Sequence, residues 1–206
     1  MAKADHSIDP RILESAKQEF LACGFEKASL KRICERADVT TGALYKRYSG
    51  KDALFCAVVE DTVADLKAIL AEKSAVLPAD LSDEALIRAW DMDEAYMLWW
   101  FQYLYDRHDG FVLLLSCAEG TSYSNFPHDW VESMTEASYG YYEETRRRGL
   151  THTNISKEEM HVLLSAFWTT IYEPFIHGFS WEQIVRHSSL MCDLFNWYRT
   201  LGFTPQ

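Results

Sequence analysis

An all-α fold is predicted for this chain of 206 residues by three observations. Apolar residues recur at helical spacing through almost every segment. No sustained alternation of apolar and polar residues argues for strands. Cap residues and glycines stand where the periodic segments begin and end.

Taken in order, Asp9-Pro10 opens the first helix, with Asp9 as N-cap and Pro10 at the first position, where no amide donor is missed. Ile12, Leu13, Ala16 and Phe20 form its buried stripe, and Gly24 ends it as a left-handed cap. Leu30, Ile33, Cys34 and Ala37 fall at i, i+3, i+4 and i+7, so a second helix buries them and exposes Lys31, Arg32 and Arg36. Asp38-Val39 make a turn, and Thr40 or Thr41 caps a third helix. There Leu44 and Tyr48 face inward, while Thr41, Gly42, Tyr45, Lys46 and Arg47 point out. Small residues followed by an aromatic hydroxyl and two cations suit a DNA major groove. Ser49 and Asp52 have capping-box spacing and open a fourth helix from about Lys51 to Glu72.

Beyond Pro78 helices are expected over about 82–91, 93–107, 127–148, 156–178 and 180–202, with breaks at Asp109-Gly110, Gly120–Asn125 and Gly149–Asn154. The last two carry wide apolar faces, suited either to a core or to pairing with the same helices of a second subunit. Pro174 lies inside one of them, removes a backbone hydrogen bond, bares the carbonyl of Thr170 and kinks the helix. A bend that makes room for a ligand and a tolerated irregularity are both open readings.

Charge is divided unevenly. Residues 1–52 hold ten Lys and Arg against eight Asp and Glu, a balance of +2; the remainder holds ten against 23, a balance of −13, and the net is −11. A cationic end on an acidic body orients docking on a polyanion and makes it salt-sensitive. Aromatic residues make up 14% of the chain and concentrate after residue 90. Tyr96, Trp99, Trp100, Tyr103, Trp130, Met134, Tyr141, Phe167, Trp168, Ile171, Tyr172 and Phe175 would line the space between the central helices, as a packed core or as a ligand site. With Glu94, Glu119 or Glu173 beside them, a flat or cationic organic ligand is expected.

No signal peptide or membrane span is expected, since the apolar run Met97–Tyr105 is too short to cross a bilayer and contains Gln102. The five cysteines include no Cys-x-x-Cys pair, which argues against a zinc site or disulfide framework and fits a reducing cytoplasm. Seven histidines show no metal-binding spacing, and no cofactor is called for. Ser116-Cys117-Ala118-Glu119-Gly120 has no recognisable base beside it, so catalysis is not expected. Cys34 and Cys117 are read as buried structural thiols in preference to a redox switch.

Asp9 to about Leu66 resembles the N-terminal DNA-binding domain of the TetR family of transcriptional regulators. The resemblance rests on Phe20-Leu-Ala-Cys-Gly-Phe25, Ser29-Leu-Lys-Arg-Ile33 and Val39-Thr-Thr-Gly-Ala-Leu-Tyr-Lys-Arg-Tyr-Ser-Gly-Lys-Asp-Ala-Leu-Phe55; Ser122-Tyr-Ser-Asn-Phe126 and the helices after it resemble the family's effector domain. It implies a DNA-binding domain over 1–52 and an effector-binding and dimerisation domain over 53–206. Thr41, Gly42 and Ala43, with Thr40 at their edge, would approach base edges. Tyr45 and Lys46 would meet phosphate or a base, and Arg47 a guanine. Lys51, with the free amides of the fourth helix, would hold a phosphate, and Ser29 and Lys31 would touch the backbone. Lys46-Arg47 stands where many relatives carry an aromatic residue or histidine, so the operator preference is expected to differ.

The implied protein is a cytoplasmic homodimeric repressor, paired through its two C-terminal helices and released from operator DNA by a small hydrophobic or aromatic effector. Its two reading helices would enter successive major grooves roughly 35 Å apart. An architectural or partner-recruiting DNA binder without effector, and an all-helical carrier or enzyme with a vestigial helix-turn-helix, are the alternatives.

Overall fold

A computed structural model describes residues 8–203; residues 1–7 and 204–206, which include His6 and the start of the domain expected over 1–52, lie outside the described residues. The fold is all-α with an N-terminal helix-turn-helix, as the sequence predicts. Its helices are α1 (Asp9–Lys27), α2 (Leu30–Ala37), α3 (Thr41–Tyr45), α4 (Lys51–Ala75), α5 (Asp83–Arg88), α6 (Glu94–Tyr105), α7 (His108–Ser116), α8 (Phe126–Arg147), α9 (Lys157–Ile176), α10 (Trp181–Leu194) and α11 (Trp197–Leu201). Among the described residues the sole strand-like pairing is an isolated bridge between Thr151 and Phe203. The chain forms two compact units, one of residues up to Asp65 with Arg107–Pro127, the other of Leu66–Asp106 with residues from His128 onward.

In the first unit α1 packs on α2 and α7 around Ile12, Ala16, Phe20, Ile33, Leu44 and Phe55, all fully buried. The rings of Phe20, Phe25 and Phe55 meet edge-on or tilted at 5.1–6.0 Å between centroids. Gly24 has φ 72° and ψ 166°, so it is a kink inside α1 and not the left-handed cap expected of it; one further turn follows to Lys27, and Ala28 is the cap. At the other end Asp9 is the first helical residue and not the cap, and its carboxylate receives Arg47 instead. Asp52 likewise does not close a box with Ser49. Its carboxylate accepts from the amide and hydroxyl of Ser122 at 2.9 and 2.7 Å.

α7 departs from expectation, because Asp109-Gly110 lies inside a helix where a break was predicted. Gly110 serves close approach and not chain reversal. A Cβ added to it would stand 2.0 Å from Oγ1 and 2.9 Å from Cβ of Thr62 on α4. The contact is flanked by ion pairs from Arg107 to Asp65 (2.7 Å) and from Lys17 to Asp109 (3.6 Å).

In the second unit, α9 and α10 each start in a capping box, Ser156 with Glu159 and Ser180 with Gln183. α10 packs on α6. The helix expected over 180–202 is interrupted: Phe195 and Asn196 are extended in ψ (90° and 89°), and the Asn196 side chain caps α11 by accepting from Arg199 N at 2.9 Å. Pro174 does bare the carbonyl of Thr170, and His187 of α10 meets it with Nε2 at 2.7 Å. A carbonyl only accepts, so that nitrogen carries a proton and ties α10 to the proline site. Arg148 holds the short turn Pro78–Asp80 through the carbonyls of Ala79 and Leu81, at 2.9 and 2.7 Å. Among the described residues no helix is long and apolar enough to cross a membrane.

Candidate nucleic-acid interface and aromatic cluster

The reading helix is fixed from both ends by its own sequence. Thr40 Oγ1 accepts from the amide of Ala43 at 3.1 Å, so of the two candidate threonines Thr40 is the cap and Thr41 is left exposed. Leu44 is fully buried and anchors α3, while Asp38 closes α2 in the left-handed region at φ 52°. Outward stand Thr41, Gly42, Tyr45 and Lys46, with Tyr45 56% exposed despite its apolar ring. Ala43 and Tyr48 are half-buried.

Gly42 is informative because nothing inside the protein requires it. A Cβ there would meet only Thr40 Oγ1, at 3.9 Å, an ordinary contact. Bare backbone is therefore presented outward without an internal packing reason.

Several other expected contacts are committed internally. Arg47 turns back to Asp9 and to the carbonyl of Ala43 (3.3 Å), half-buried. Lys51 Nζ donates to the carbonyls of Glu26 and Ala28 at 2.9 and 3.2 Å and lies 4.6 Å from the Phe25 ring centroid. It thus closes the last turn of α1 and is drawn away from the α4 amides. Ser29 Oγ caps α2 by accepting from Arg32 N at 3.4 Å. Lys31 remains exposed beside Glu35 at 3.8 Å.

Glu19, which the sequence did not single out, organises this face. Its buried carboxylate accepts from Ser29 N at 3.1 Å and faces Arg32 at 2.7 Å and Arg36 at 3.7 Å. Burial opposes the charge, yet the Ser29 amide and the two guanidiniums outweigh it and hold the pKa below its ordinary 4.5. A carboxyl depressed on folding stabilises above its unfolded pKa, and that contribution fades as pH falls through the folded value. Glu19→Gln is accordingly expected to cost about 1–2 kcal/mol at pH 7, since both guanidiniums are partly in water. The gap between the two proteins should narrow below about pH 4.5, as thermal melts across pH would record.

In the second unit the predicted aromatic residues divide. Tyr96, Trp100, Met134, Phe167 and Trp168 line a cavity of about 20 Å³. Trp130, Ile171 and Tyr172 are buried without lining it, and Trp130 and Tyr172 pack on Trp168 at 5.4 and 5.8 Å. Trp99 is 49% exposed and stacks on Tyr96 and on Tyr103. The expected carboxylates are not there: Glu94, Glu119 and Glu173 are all exposed, and Glu173 faces His177 at 3.0 Å. Lys73, Trp90 and Trp197 line the cavity instead, missed because they stand at helix ends far apart in sequence.

A wider groove of about 440 Å³ opens to solvent between α8 and α9, with His128, Glu132, His161 and Val162 on its walls. The two imidazoles are 5.3 Å apart between centroids, but among the described residues no group of three or more His, Cys, Asp or Glu side chains is placed to hold a metal ion. Burial pushes the thiols of Cys34 and Cys117 above their ordinary pKa, so neither is an activated thiolate.

Residues 12–58 match the model of the bacterial regulatory proteins of the tetR family. The regulator UidR of Escherichia coli K12 is 39% identical over 49 residues, 24% of this chain and 25% of its own length. The repressor AcnR of Corynebacterium diphtheriae is 32% identical over 65 residues, 32% of this chain and 34% of its own. The chain thus spans about a quarter to a third of these relatives' length. Whole-chain likeness appears in solved structures. A TetR-like transcriptional regulator from Rhodococcus aligns over 98% of this chain and 99% of its own (TM-score 0.61, 16% identity). FadR of Bacillus subtilis, in complex with stearoyl-CoA, aligns over 90% and 96% (0.57, 13%), and NalD of Pseudomonas aeruginosa, the secondary repressor of the MexAB-OprM multidrug efflux pump, over 91% and 92% (0.56, 17%). The folded helix-turn-helix and its capped reading helix lie within the match over residues 12–58, so that segment has the DNA-binding domain of the bacterial tetR regulatory proteins, and the whole-chain likeness to solved structures is one of fold.

Proposed function

We propose that the chain is a homodimeric, ligand-responsive transcriptional repressor acting in the cytoplasm, and that it binds operator DNA without catalysing a reaction. The observation that carries the reading is the outward face of α3, where Thr41, Gly42, Tyr45 and Lys46 stand free on a helix capped by Thr40 and anchored by Leu44. Gly42 lets backbone reach base edges, Tyr45 and Lys46 contact base or phosphate, and Lys31 and Ser29 follow the phosphates from α2. Arg47 and Lys51 join only by leaving the internal partners they hold in the DNA-free chain.

Dimerisation through the C-terminal helices is supported by an exposed stripe on each. α9 shows Val162, Ala166, Thr169, Glu173 and Ile176, and α10 shows Leu190 and Leu194, 67% and 70% exposed. A second copy covering these stripes makes a four-helix bundle of the kind that sets the spacing of two reading heads. AcnR and NalD are repressors, which favours repression as the output, and the complex of FadR with stearoyl-CoA favours a small-molecule effector. An effector that binds the DNA-free form better releases the operator, and bound DNA then weakens the effector by the same factor.

Gly42→Ala separates function from folding. Alanine fits the space and is a better helix former, so stability should hold or rise by up to about 1 kcal/mol. Fluorescence polarisation against DNA from around the chain's own gene should nevertheless show weaker binding by about tenfold. Lys46→Ala should weaken all duplexes alike and reduce the salt slope by about 1. Unchanged binding by both variants refutes the assignment of this face.

A second reading, a DNA binder without small-molecule effector, is favoured by the size of the aromatic cavity. A volume of about 20 Å³ admits a water molecule and little else.

A further inference from the structure

The aromatic cavity is lined by four tryptophans, Lys73 and the hydroxyl-bearing Tyr96 and Ser138, and it holds no carboxylate. Trp90, Trp168 and Trp197 line it, each at most 4% exposed, and the indole Nε1 of each is buried without a hydrogen-bond partner. A buried N–H left unmade costs about 1–3 kcal/mol, so three around one cavity is a debt that an acceptor would cancel. Lys73 supplies the fourth donor. Among the described residues no carboxylate pairs with it; its ammonium lies 6.0 Å from the Tyr141 ring centroid, and the Tyr141 hydroxyl donates to the Lys73 carbonyl at 3.1 Å. Desolvation alone lowers the ammonium pKa to about 8. No lining residue carries a negative charge.

We propose that this cavity is the head-group site of an apolar organic anion, a carboxylate whose oxygens meet Lys73 and the indole N–H groups of Trp90, Trp168 and Trp197 while its aromatic or aliphatic body parts the surrounding rings. The inference rests on the reading of the chain as ligand-responsive and reverses the charge preference that the aromatic content with Glu94, Glu119 and Glu173 led us to expect. Four donors and no acceptor charge repel an ammonium and leave a carboxylate as the complementary group. The present volume is too small even for the head group, so binding must open the ring cluster. Tyr96 and Trp99, 38% and 49% exposed, are its loosely held outer members.

The test uses the full chain and three probes that differ only in head group: 1-naphthaleneacetate, 1-naphthaleneacetamide and 1-(2-aminoethyl)naphthalene. Isothermal titration should give the carboxylate at least tenfold tighter binding than the amide, and the ammonium the weakest. Lys73→Met should remove most of the carboxylate's advantage while leaving amide binding within about twofold, which shows that the variant still folds. Trp90→Phe, which deletes one donor and keeps a ring, should cost the carboxylate about fivefold. Affinity for the carboxylate should fall about tenfold per pH unit above pH 8, as Lys73 loses its proton. Tyr96 and Tyr141, the other titratable groups beside it, stay protonated there because burial raises both. Equal affinities for the three probes, preference for the ammonium, or no binding of the carboxylate overturns the proposal. Operator binding is measured on the same samples. Intact DNA binding with no carboxylate preference sinks this inference alone, whereas carboxylate binding without any DNA binding sinks the regulator reading alone.

Discussion

Gly110→Ala is expected to destabilise the protein by about 2 kcal/mol, although alanine is the better helix former. Helix propensity favours the substitution by about 1 kcal/mol. Against it, the new Cβ would lie 2.0 Å from Thr62 Oγ1 and 2.9 Å from Thr62 Cβ. Rotating Thr62 about χ1 moves its hydroxyl but not its Cβ, so no rotamer relieves the overlap and α4 and α7 must separate. Overpacking of that kind costs about 3 kcal/mol, which outweighs the propensity gain. The double variant with Thr62→Gly should recover most of the loss beyond the cost of a second helix glycine. Thr62→Ala should recover less, because the carbon at 2.9 Å stays. Chemical unfolding of the four proteins gives the coupling between the two positions directly, and additivity would show that the close approach is not what holds glycine there.

The same residue shows where sequence reading stops. Asp109-Gly110 has the composition of a turn, and glycine as a breaker and glycine as a contact look alike until the neighbour is known. Thr62 is 48 residues away, so no local pattern reports it. Helices α2 and α3 were legible for the opposite reason. Ile33, Cys34, Ala37 and Leu44 bury one face at i, i+3 and i+4 spacing, and the cap that begins α3 sits three residues from the amide it binds. Lys51 and Asp52 were placed on the right helix, but the capping box expected of Asp52 is replaced by Ser122, and the carbonyls of Glu26 and Ala28 that hold Lys51 in the DNA-free chain are brought there by the fold. Pro174 was legible to the atom: the carbonyl it bares on Thr170 is the one His187 meets. What the sequence could not supply was His187 itself, 17 residues on and in another helix. Asn196 carried a readable signal, a cap residue inside an apolar helix pattern, that the continuous stripe around it masked.

Trp168→Ala is expected to cost about 2 kcal/mol if the ring cluster opens for a ligand, as proposed above, and about 4 kcal/mol if it is a core packed for stability alone. Trp168 is 2% exposed, and its ring meets the rings of Trp100 and Trp130 edge-on at 5.3 and 5.4 Å and those of Phe167 and Tyr172 at 6.1 and 5.8 Å. Its removal takes away both the transfer energy of an indole and the contacts of four rings, three edge-on and one tilted, each worth about 0.5–1.5 kcal/mol. The size of the loss also measures how the cluster is built. A core packed for stability alone yields the full 4 kcal/mol, because its neighbours cannot collapse into the space. A cluster that already opens for a ligand yields nearer 2 kcal/mol, because its rings relax into part of the gap, and the unpaired N–H of Trp168 leaves with the ring. Urea unfolding followed by far-ultraviolet circular dichroism distinguishes the two. A shifted midpoint with unchanged slope reports lost packing in an otherwise intact fold, and a reduced slope reports a native state that has loosened. Repeating the measurement with 1-naphthaleneacetate present then asks whether the space left by the indole is one that an apolar acid fills: stabilisation of the variant beyond that of the wild type places the acid's body where Trp168 stood, and equal stabilisation places it elsewhere in the ring cluster.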